Sequence, residues 1–457
     1  MALNLESIKT RMSYVSKRGL SRRLIEEISW HKQEPEWMRK LRLKSFDIFL
    51  KKSMPNWGPD LSKLDFDKLA MYIKPGAKKA KDWKNVPKEI KQVYDKLGIP
   101  EAEKKYLAGQ VSQFESEAVY HKLKAQYEAQ GIIFCDMDSA VKKYPDIVKE
   151  YFMTKCVPMG DHKFSALHGA VWSGGSFVYV PKGVKVDLPV QTYFWMNTKG
   201  SGQFEHTLII AEEGSEIHYI EGCTAPQYSE QSLHSAVVEI FVKKNAKVRY
   251  TTVQNWSKDV YNLNTKRAIV GPGASIEWVG GSMGSGVTML YPASYLVGRG
   301  ARADHLNIAF AGHGQIKDTG AKVFHGAPNT SSTVVSKSIC RGGGQGIYRG
   351  VVKIAKGAKG AKTHVRCDSL ILDDQSIAKT YPHLEIYENE VSAGHEATTG
   401  KISDDQIFYL RSRGLTEQEA MAMIVSGFVE PIVKELPMEY AIELNRLILL
   451  EMDNSVG

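Results

Sequence analysis

Apolar residues recur three and four positions apart in Leu24, Ile25 and Ile28, in Trp37, Met38 and Leu41, and in Phe46, Ile48, Phe49 and Leu50. That spacing predicts amphipathic helices over the first part of the chain. Pro55 and Pro59, flanking Asn56-Trp57-Gly58, interrupt the pattern. A further helix is predicted over 118–130, with Gly131 at its C-cap position, and a first boundary falls near residue 130.

From about Gly131 the texture changes to short runs rich in Val, Ile, Tyr and Phe, many closed by small-residue turns. Turns at Gly183, Gly214, Asn245, Gly273, Gly300, Asn329 and Gly357 are separated by 31, 31, 28, 27, 29 and 28 residues. A period of this size with strand texture between the turns predicts a solenoid of stacked β coils, a parallel β-helix. A two-sheet sandwich is the competing arrangement. After Glu396 helical texture returns, with Thr416 to Glu419 as a capping box ahead of Ala420, Met423, Ile424 and Phe428. Tyr440, Ala441, Leu444, Leu447 and Ile448 continue an apolar stripe. The predicted fold is therefore mainly β: a helical region over 1–130, a parallel β-helix core over 131–395 and a helical region over 396–457.

Composition narrows the function classes. With 457 residues and 43% hydrophobic content, the chain is too long for one small domain and too apolar for wholesale disorder. A net charge of +9 is mild over this length, and the basic stretch Lys74 to Lys105 is broken by Asp82, Asp95 and Glu101, so no nucleic-acid partner is expected. No apolar leader and no run of about 18 apolar residues is present, so no membrane is expected and the cytoplasm is the default compartment. Five widely spaced cysteines without a Cys-x-x-Cys pair argue against a disulfide framework or a zinc finger and leave reduced thiols.

Chemistry-bearing motifs are few. No phosphate loop, His-Glu-x-x-His helix or Gly-x-Gly-x-x-Gly fingerprint occurs. Gly280-Gly281-Ser282-Met283-Gly284 matches a nucleophile elbow in letters, but a strand is predicted after it where the elbow needs a helix. Cys367 and His395-Glu396 carry more information. A separation of 28 residues is one coil, which stacks thiol and imidazole about 5 Å apart on successive strands. Thiolate, imidazole and carboxylate can ligate iron or zinc; the alternative makes Cys367 a buried small hydrophobe. Cys340, 27 residues before Cys367, is out of phase and is left aside. Cys223 follows a strand predicted over 216–220, where a corner would expose its thiol, with Arg249, Lys266 and Arg267 as cationic neighbours.

Glu34-Pro35-Glu36-Trp37-Met38, Phe177 to Val184, Gly222-Cys223-Thr224-Ala225-Pro226, Val253-Gln254-Asn255-Trp256 and His395-Glu396-Ala397-Thr398-Thr399 together bring a family into view. Over nearly its full length the chain resembles the SufB family, scaffold subunits of the SUF iron–sulfur cluster assembly system. The resemblance implies a right-handed parallel β-helix between two helical regions, and an assembly scaffold in place of an enzyme. It also implies a SufC-type ATPase docked on the C-terminal helical region, and a SufD-like subunit or a second copy of the chain as partner. Sulfur would come as persulfide from a cysteine desulfurase, the cluster would be held transiently, and a reduced flavin is a further candidate cofactor. Carried over by position, Cys223 resembles the sulfur acceptor, Cys367 the cluster-site cysteine, and His395 and Glu396 its metal-binding neighbours. Asn197, Gln254, Trp256 and Lys266 resemble residues lining a sulfur route, although ordinary strand packing also accounts for them. Trp195 stands near a family arginine and Gly394 where some relatives carry glutamate. The competing readings are a SufD-like partner subunit and a cytosolic β-helix enzyme acting on carbohydrate through Asp373, Asp374 and Glu385.

Overall fold

A computed structural model of the chain describes residues 11–226, 230–435, 441, 445, 446 and 448. Its centre is a parallel β-solenoid of about eight turns, flanked by helices at both ends. One sheet runs through the strands Val190–Trp195, Glu216–Thr224, Lys247–Asn255, Ser275–Met283, Arg302–Ala311, Ser331–Cys340, Lys362–Ile371 and Ser392–Lys401, each paired in parallel with the next. A second sheet, including His206–Ala211, Val237–Val242 and Val260–Val270, faces it across a core of Val238, Ile240, Val248, Tyr250 and Ile276.

The repeat read from the sequence has a backbone cause. All seven predicted corner residues, Gly183, Gly214, Asn245, Gly273, Gly300, Asn329 and Gly357, have φ between 56° and 90°. Only glycine and, less readily, asparagine enter that left-handed region at small cost, which restricts the corner to these two residue types. Arg22–Lys32 and Glu36–Lys51 form the expected N-terminal helices, and Glu34 of the Glu-Pro-Glu-Trp-Met motif grips buried Arg42 through two hydrogen bonds of 2.5 and 2.7 Å.

Two regions differ from the periodicity. The helix predicted over 118–130 is a strand, Glu117–Leu123, followed by a short helix, Ala125–Glu128. The strand turns back through Glu115, at φ 55°, onto Gly109–Phe114, which joins the solenoid sheet beside Val190–Trp195. Burial of Val119 and Tyr120 in an aromatic cluster with Trp83 and Tyr94 outweighs the local helical spacing. Conversely, Met137–Lys143, Pro145–Tyr151 and Lys163–Val171 are helices within the strand-like region. They cover the open face of the first coils, burying Phe152, Trp172 and Phe177.

At the other end, Asp404–Arg411 and Glu417–Val433 are helices, the second begun by the predicted Thr416–Glu419 capping box. Val425, Val429 and Ile432 pack onto Ile220, Val253, Ile308 and Ile339 on the outer face of the sheet. Of the apolar stripe beyond, Ala441 and Ile448 join the same cluster, whereas Tyr440, Leu444 and Leu447 lie outside the described residues.

Candidate functional site: two thiols on one internal column

Alternation along each strand sends every second side chain inward. Following register from coil to coil, the inner positions near the strand ends are Glu221 and Cys223, Thr252 and Gln254, Gly280 and Ser282, Asn307 and Ala309, Ser336 and Ser338, then Cys367 and Ser369. A column of small and polar residues therefore runs inside the solenoid from Cys223 to Cys367, five strand spacings or about 24 Å apart. The inward residues nearer the strand starts, among them Ile217, Val248 and Ile276, are apolar. Gly280 leaves room for the Asn307 side chain of the next coil: a Cβ there would lie 2.9 Å from Asn307 Oδ1. A void of about 20 Å³ beside Thr252, Lys266, Gly280, Ser282 and Asn307 is large enough for one water-sized molecule. A larger cleft of about 730 Å³, between the Lys51–Trp57 segment and Lys322, contains neither thiol.

Cys223 is a strand residue of Glu216–Thr224 and is buried, not exposed at a corner as the sequence suggested. The strand runs four residues beyond the predicted Ile220 because its backbone stays paired on both sides. Burial first, then the charges of Glu221 and Glu205, push its thiol well above the ordinary cysteine range. Of the three proposed cationic neighbours only Lys266 turns inward. Its Nζ lies 2.6 Å from Glu221 Oε1, and Tyr250 and Thr252 hydroxyls donate to the same carboxylate. Burial alone would raise Glu221, but Lys266 and these donors hold it below its usual value. Arg249, of opposite alternation, meets Glu277 and Glu435 outside, and Arg267 pairs with Asp161.

Gln254 is the register partner of Cys223, and Trp256 packs against it with Phe194 and Met196. Gln254 Nε2 and Trp256 Nε1 are buried donors without a hydrogen-bond partner among the described residues. Asn197 lies just past Val190–Trp195, its backbone N–H donating to Glu115 Oε1 at 3.2 Å. Sequence reasoning missed Glu205 and His234, both buried within 4.8 Å of the Cys223 sulfur by their ligand atoms. The signal was present: Glu205, His234 and Asn262 follow one another at 29 and 28 residues, one coil each.

Cys367 and His395 are brought together, with Sγ and Nε2 3.5 Å apart. The register differs from the predicted one: Cys367 pairs with Ala397 and His395 with Val365, so the last coil is 30 residues and the contact is diagonal. Two residues of offset keep both side chains on the inner face. Burial pushes the Cys367 thiol up to about 12, opposed by a hydrogen bond from the Tyr348 hydroxyl. Burial also lowers His395, with His364 adding to it. Glu396, the next residue, points to the other face, is exposed, and pairs with His364 at 2.9 Å. In a regular strand, neighbours cannot both face Cys367. Cys340 pairs with Ile371 and stays apart.

The remaining motifs are structural. Val287–Leu290, a strand, follows the Gly-x-Ser-x-Gly match. Asp373 accepts from the backbone of Gly342, Gln375 and Ser376 in a corner, Asp374 pairs with Lys401, and Glu385 with Lys353 and His383. These three carboxylates do not converge on a carbohydrate site.

Fold and site together define a class: a parallel β-solenoid with helical ends whose buried thiols share an internal polar column. Within that class, the description "SUF system FeS cluster assembly, SufBD core domain" matches residues 194–428, and "SufBD protein N-terminal region" matches 26–192. An iron–sulfur cluster assembly SufBD family protein of Staphylococcus saprophyticus is 56% identical over 442 residues, 97% of this chain and 95% of the relative. A Staphylococcus aureus protein of the same description is also 56% identical over the same shares. The chain belongs to the SufBD family of iron–sulfur cluster assembly proteins. The relatives' names concern iron–sulfur clusters and lend the flavin no support. No described helix is long and apolar enough to cross a membrane.

Proposed function

We propose that the chain is the scaffold of its assembly system, in the manner of SufB, and not a thiol-poor partner subunit. The observation that carries this reading is the internal column joining Cys223 to Cys367. Cys223 accepts sulfur: its thiolate attacks the outer sulfur of a donor persulfide supplied by a cysteine desulfurase, becomes Cys223 persulfide, and releases the donor thiolate. The unused N–H groups of Gln254 and Trp256 suit an anionic sulfur beside them. Lys266, through Glu221, sets the charge of that end, and Asn197 is buried just past the neighbouring strand Val190–Trp195. Reduction of the transferred sulfur to sulfide takes two electrons from an external reductant, for which a reduced flavin is the candidate.

At the far end Cys367 and His395 anchor iron of the transient cluster. A soft thiolate with one protonatable imidazole holds iron less firmly than four thiolates would, which favours release. Glu396 and His364, on the outer face, form a second ligand pair that meets the cluster only through a partner. The partner's seat is the last coil, where Tyr381, Leu384 and Ile386 are exposed on Ile377–Ile386 and Tyr387 is exposed just past it. A SufD-like subunit or a second copy would cover it. Phe408, Tyr409 and Met423, exposed on the C-terminal helices, offer an apolar face to a SufC-type ATPase. The chain itself is not an enzyme in this reading, and its reduced thiols suit the cytoplasm.

Anaerobic reconstitution with ferrous iron and sulfide, in the presence of the ATPase partner, tests the reading. Wild type should show cluster absorption and Mössbauer signals that Cys367→Ser lacks. Equal cluster content in the two proteins would exclude Cys367 as the anchor.

A further inference from the structure

Glu205, Cys223 and His234 come from separate stretches of chain: just before His206–Ala211, within Glu216–Thr224, and at the end of Ser232–His234. A carboxylate oxygen, a thiol sulfur and an imidazole nitrogen nevertheless all lie within 4.8 Å of one another, in side chains no more than 1% exposed.

Hydrogen bonding fixes the histidine tautomer. The Ala236 backbone N–H, an obligatory donor, reaches Asn264 Oδ1 at 2.9 Å. Asn264 therefore presents Nδ2 to Asn262 Oδ1, at 2.9 Å. Asn262 Oδ1 is thus an acceptor, and it lies 2.7 Å from His234 Nδ1, so Nδ1 carries a hydrogen. In the neutral ring Nε2 is then a lone pair, and it faces the Glu205 Oε1 carboxylate oxygen at contact distance. Two acceptors held together in a dry interior require a positive charge between them, either a proton or a metal ion. A proton leaves two groups unused. Glu205 Oε2 is buried without a hydrogen-bond partner among the described residues, and the Cys223 sulfur stands within reach of the same point.

The geometry points to a mononuclear divalent-metal site at Glu205, Cys223 and His234, for an ion of borderline softness such as zinc or ferrous iron. Sulfur, nitrogen and oxygen donors are the mixed set such ions take. Two positive charges balance one thiolate and one carboxylate, so the filled site is neutral inside the solenoid. Tetrahedral bonds of about 2.0–2.3 Å place ligand atoms roughly 3.3–3.8 Å apart, so the contact between His234 Nε2 and Glu205 Oε1 opens as the ion enters, within the 4.8 Å that already encloses all three ligand atoms. Binding releases the thiol proton, and Asn262 acts as the outer partner that orients the ring. Three protein ligands leave a fourth position open. The site does not rest on Cys223 accepting persulfide: a metal-free Cys223 would leave that role standing, and a metal-bound one would not prove it.

Cobalt(II) is the probe. Full-length protein is titrated anaerobically, and is also produced in cobalt-supplemented medium so that the ion can enter during folding. The titration is carried out in the Cys367→Ser background, which silences the thiolate of the other proposed iron site, and the expected result there is a single cobalt per chain with a thiolate-to-cobalt charge-transfer band and intense tetrahedral d–d bands. The charge-transfer band should vanish when Cys223→Ser is added to that background. Glu205→Gln, nearly isosteric, should bind at least tenfold more weakly with an unchanged circular-dichroism spectrum, which keeps the test valid if Cys223→Ser folds poorly. No band in that background by either route, a band surviving the added Cys223→Ser, or Glu205→Gln binding as tightly as its parent would each overturn the assignment.

Discussion

Cys367 Sγ lies 3.5 Å from His395 Nε2, while Glu396, one residue on, pairs with His364 on the opposite face of the same strand. Strand alternation therefore separates two residues that the sequence presents as one motif. In the chain without partners, His395→Ala should lower iron retention at Cys367 severalfold, and Glu396→Ala should leave it near wild type. Iron-to-protein ratios after anaerobic desalting make the comparison. Equal losses in the two variants would place Glu396 in the inner ligand set.

Thiol reactivity follows from burial. The Cys367 thiol is raised from 9.0 to about 12, so at pH 8 its thiolate fraction falls about a thousandfold below that of an unfolded cysteine. Iodoacetamide labelling read by peptide mass spectrometry should be slower at Cys367 in the folded protein than in urea by at least a hundredfold. Cys223, whose thiol burial also raises, should label more slowly in the folded chain than in urea when no sulfur donor is present. Rapid labelling of either in the folded chain would contradict the closed column.

Acid stability should report the buried histidines. His305, buried and bonded to Ser294 Oγ at 3.0 Å, is lowered by burial from 6.5 to about 3. Below pH 6.5 the unfolded ring takes a proton that the folded ring refuses. The stability it contributes is thus present above pH 6.5 and is lost as pH falls toward 3. At pH 5 one such group costs about 2 kcal/mol. His305→Gln should flatten the decline in urea-unfolding free energy between pH 6.5 and 5 by about that amount, and an unchanged slope would refute the assignment.

The C-terminal helices present a different kind of surface. Phe408 is 73% exposed and Met423 53%, whereas Val425 and Val429 are buried on the sheet. Phe408→Asp and Met423→Asp should change stability by no more than about 0.5 kcal/mol and should abolish capture of the ATPase partner in a pull-down. Undiminished capture would move the docking face elsewhere.

Much of the fold was legible because corners have strict requirements. A left-handed residue at each coil corner limits the choice to Gly and Asn, and that restriction surfaces as a repeat. The strand at 117–123 was misread because its burial against Trp83 depends on distant residues that no local window contains. At the site, alternation was the missing information. His395 and Glu396 are adjacent in sequence but opposite in space, and register, which decides between them, is set by strand pairing. Cys223 was placed on a corner for the same reason, since the length of its strand depends on partners in both neighbouring coils. Glu205 and His234 did follow the repeat, but neither belongs to a motif that draws attention by itself.

In the proposed scaffold, sulfur received at Cys223 reaches Cys367 through the interior of one solenoid. Gly280→Val tests it most directly, because a Cβ there already lies 2.9 Å from Asn307 Oδ1 and two further methyl groups would close the column. With radiolabelled persulfide delivered by a cysteine desulfurase, the variant should still carry label on Cys223 while labelled cluster at Cys367 falls at least tenfold. Wild-type levels of labelled cluster in a folded Gly280→Val protein would show that sulfur travels by another path.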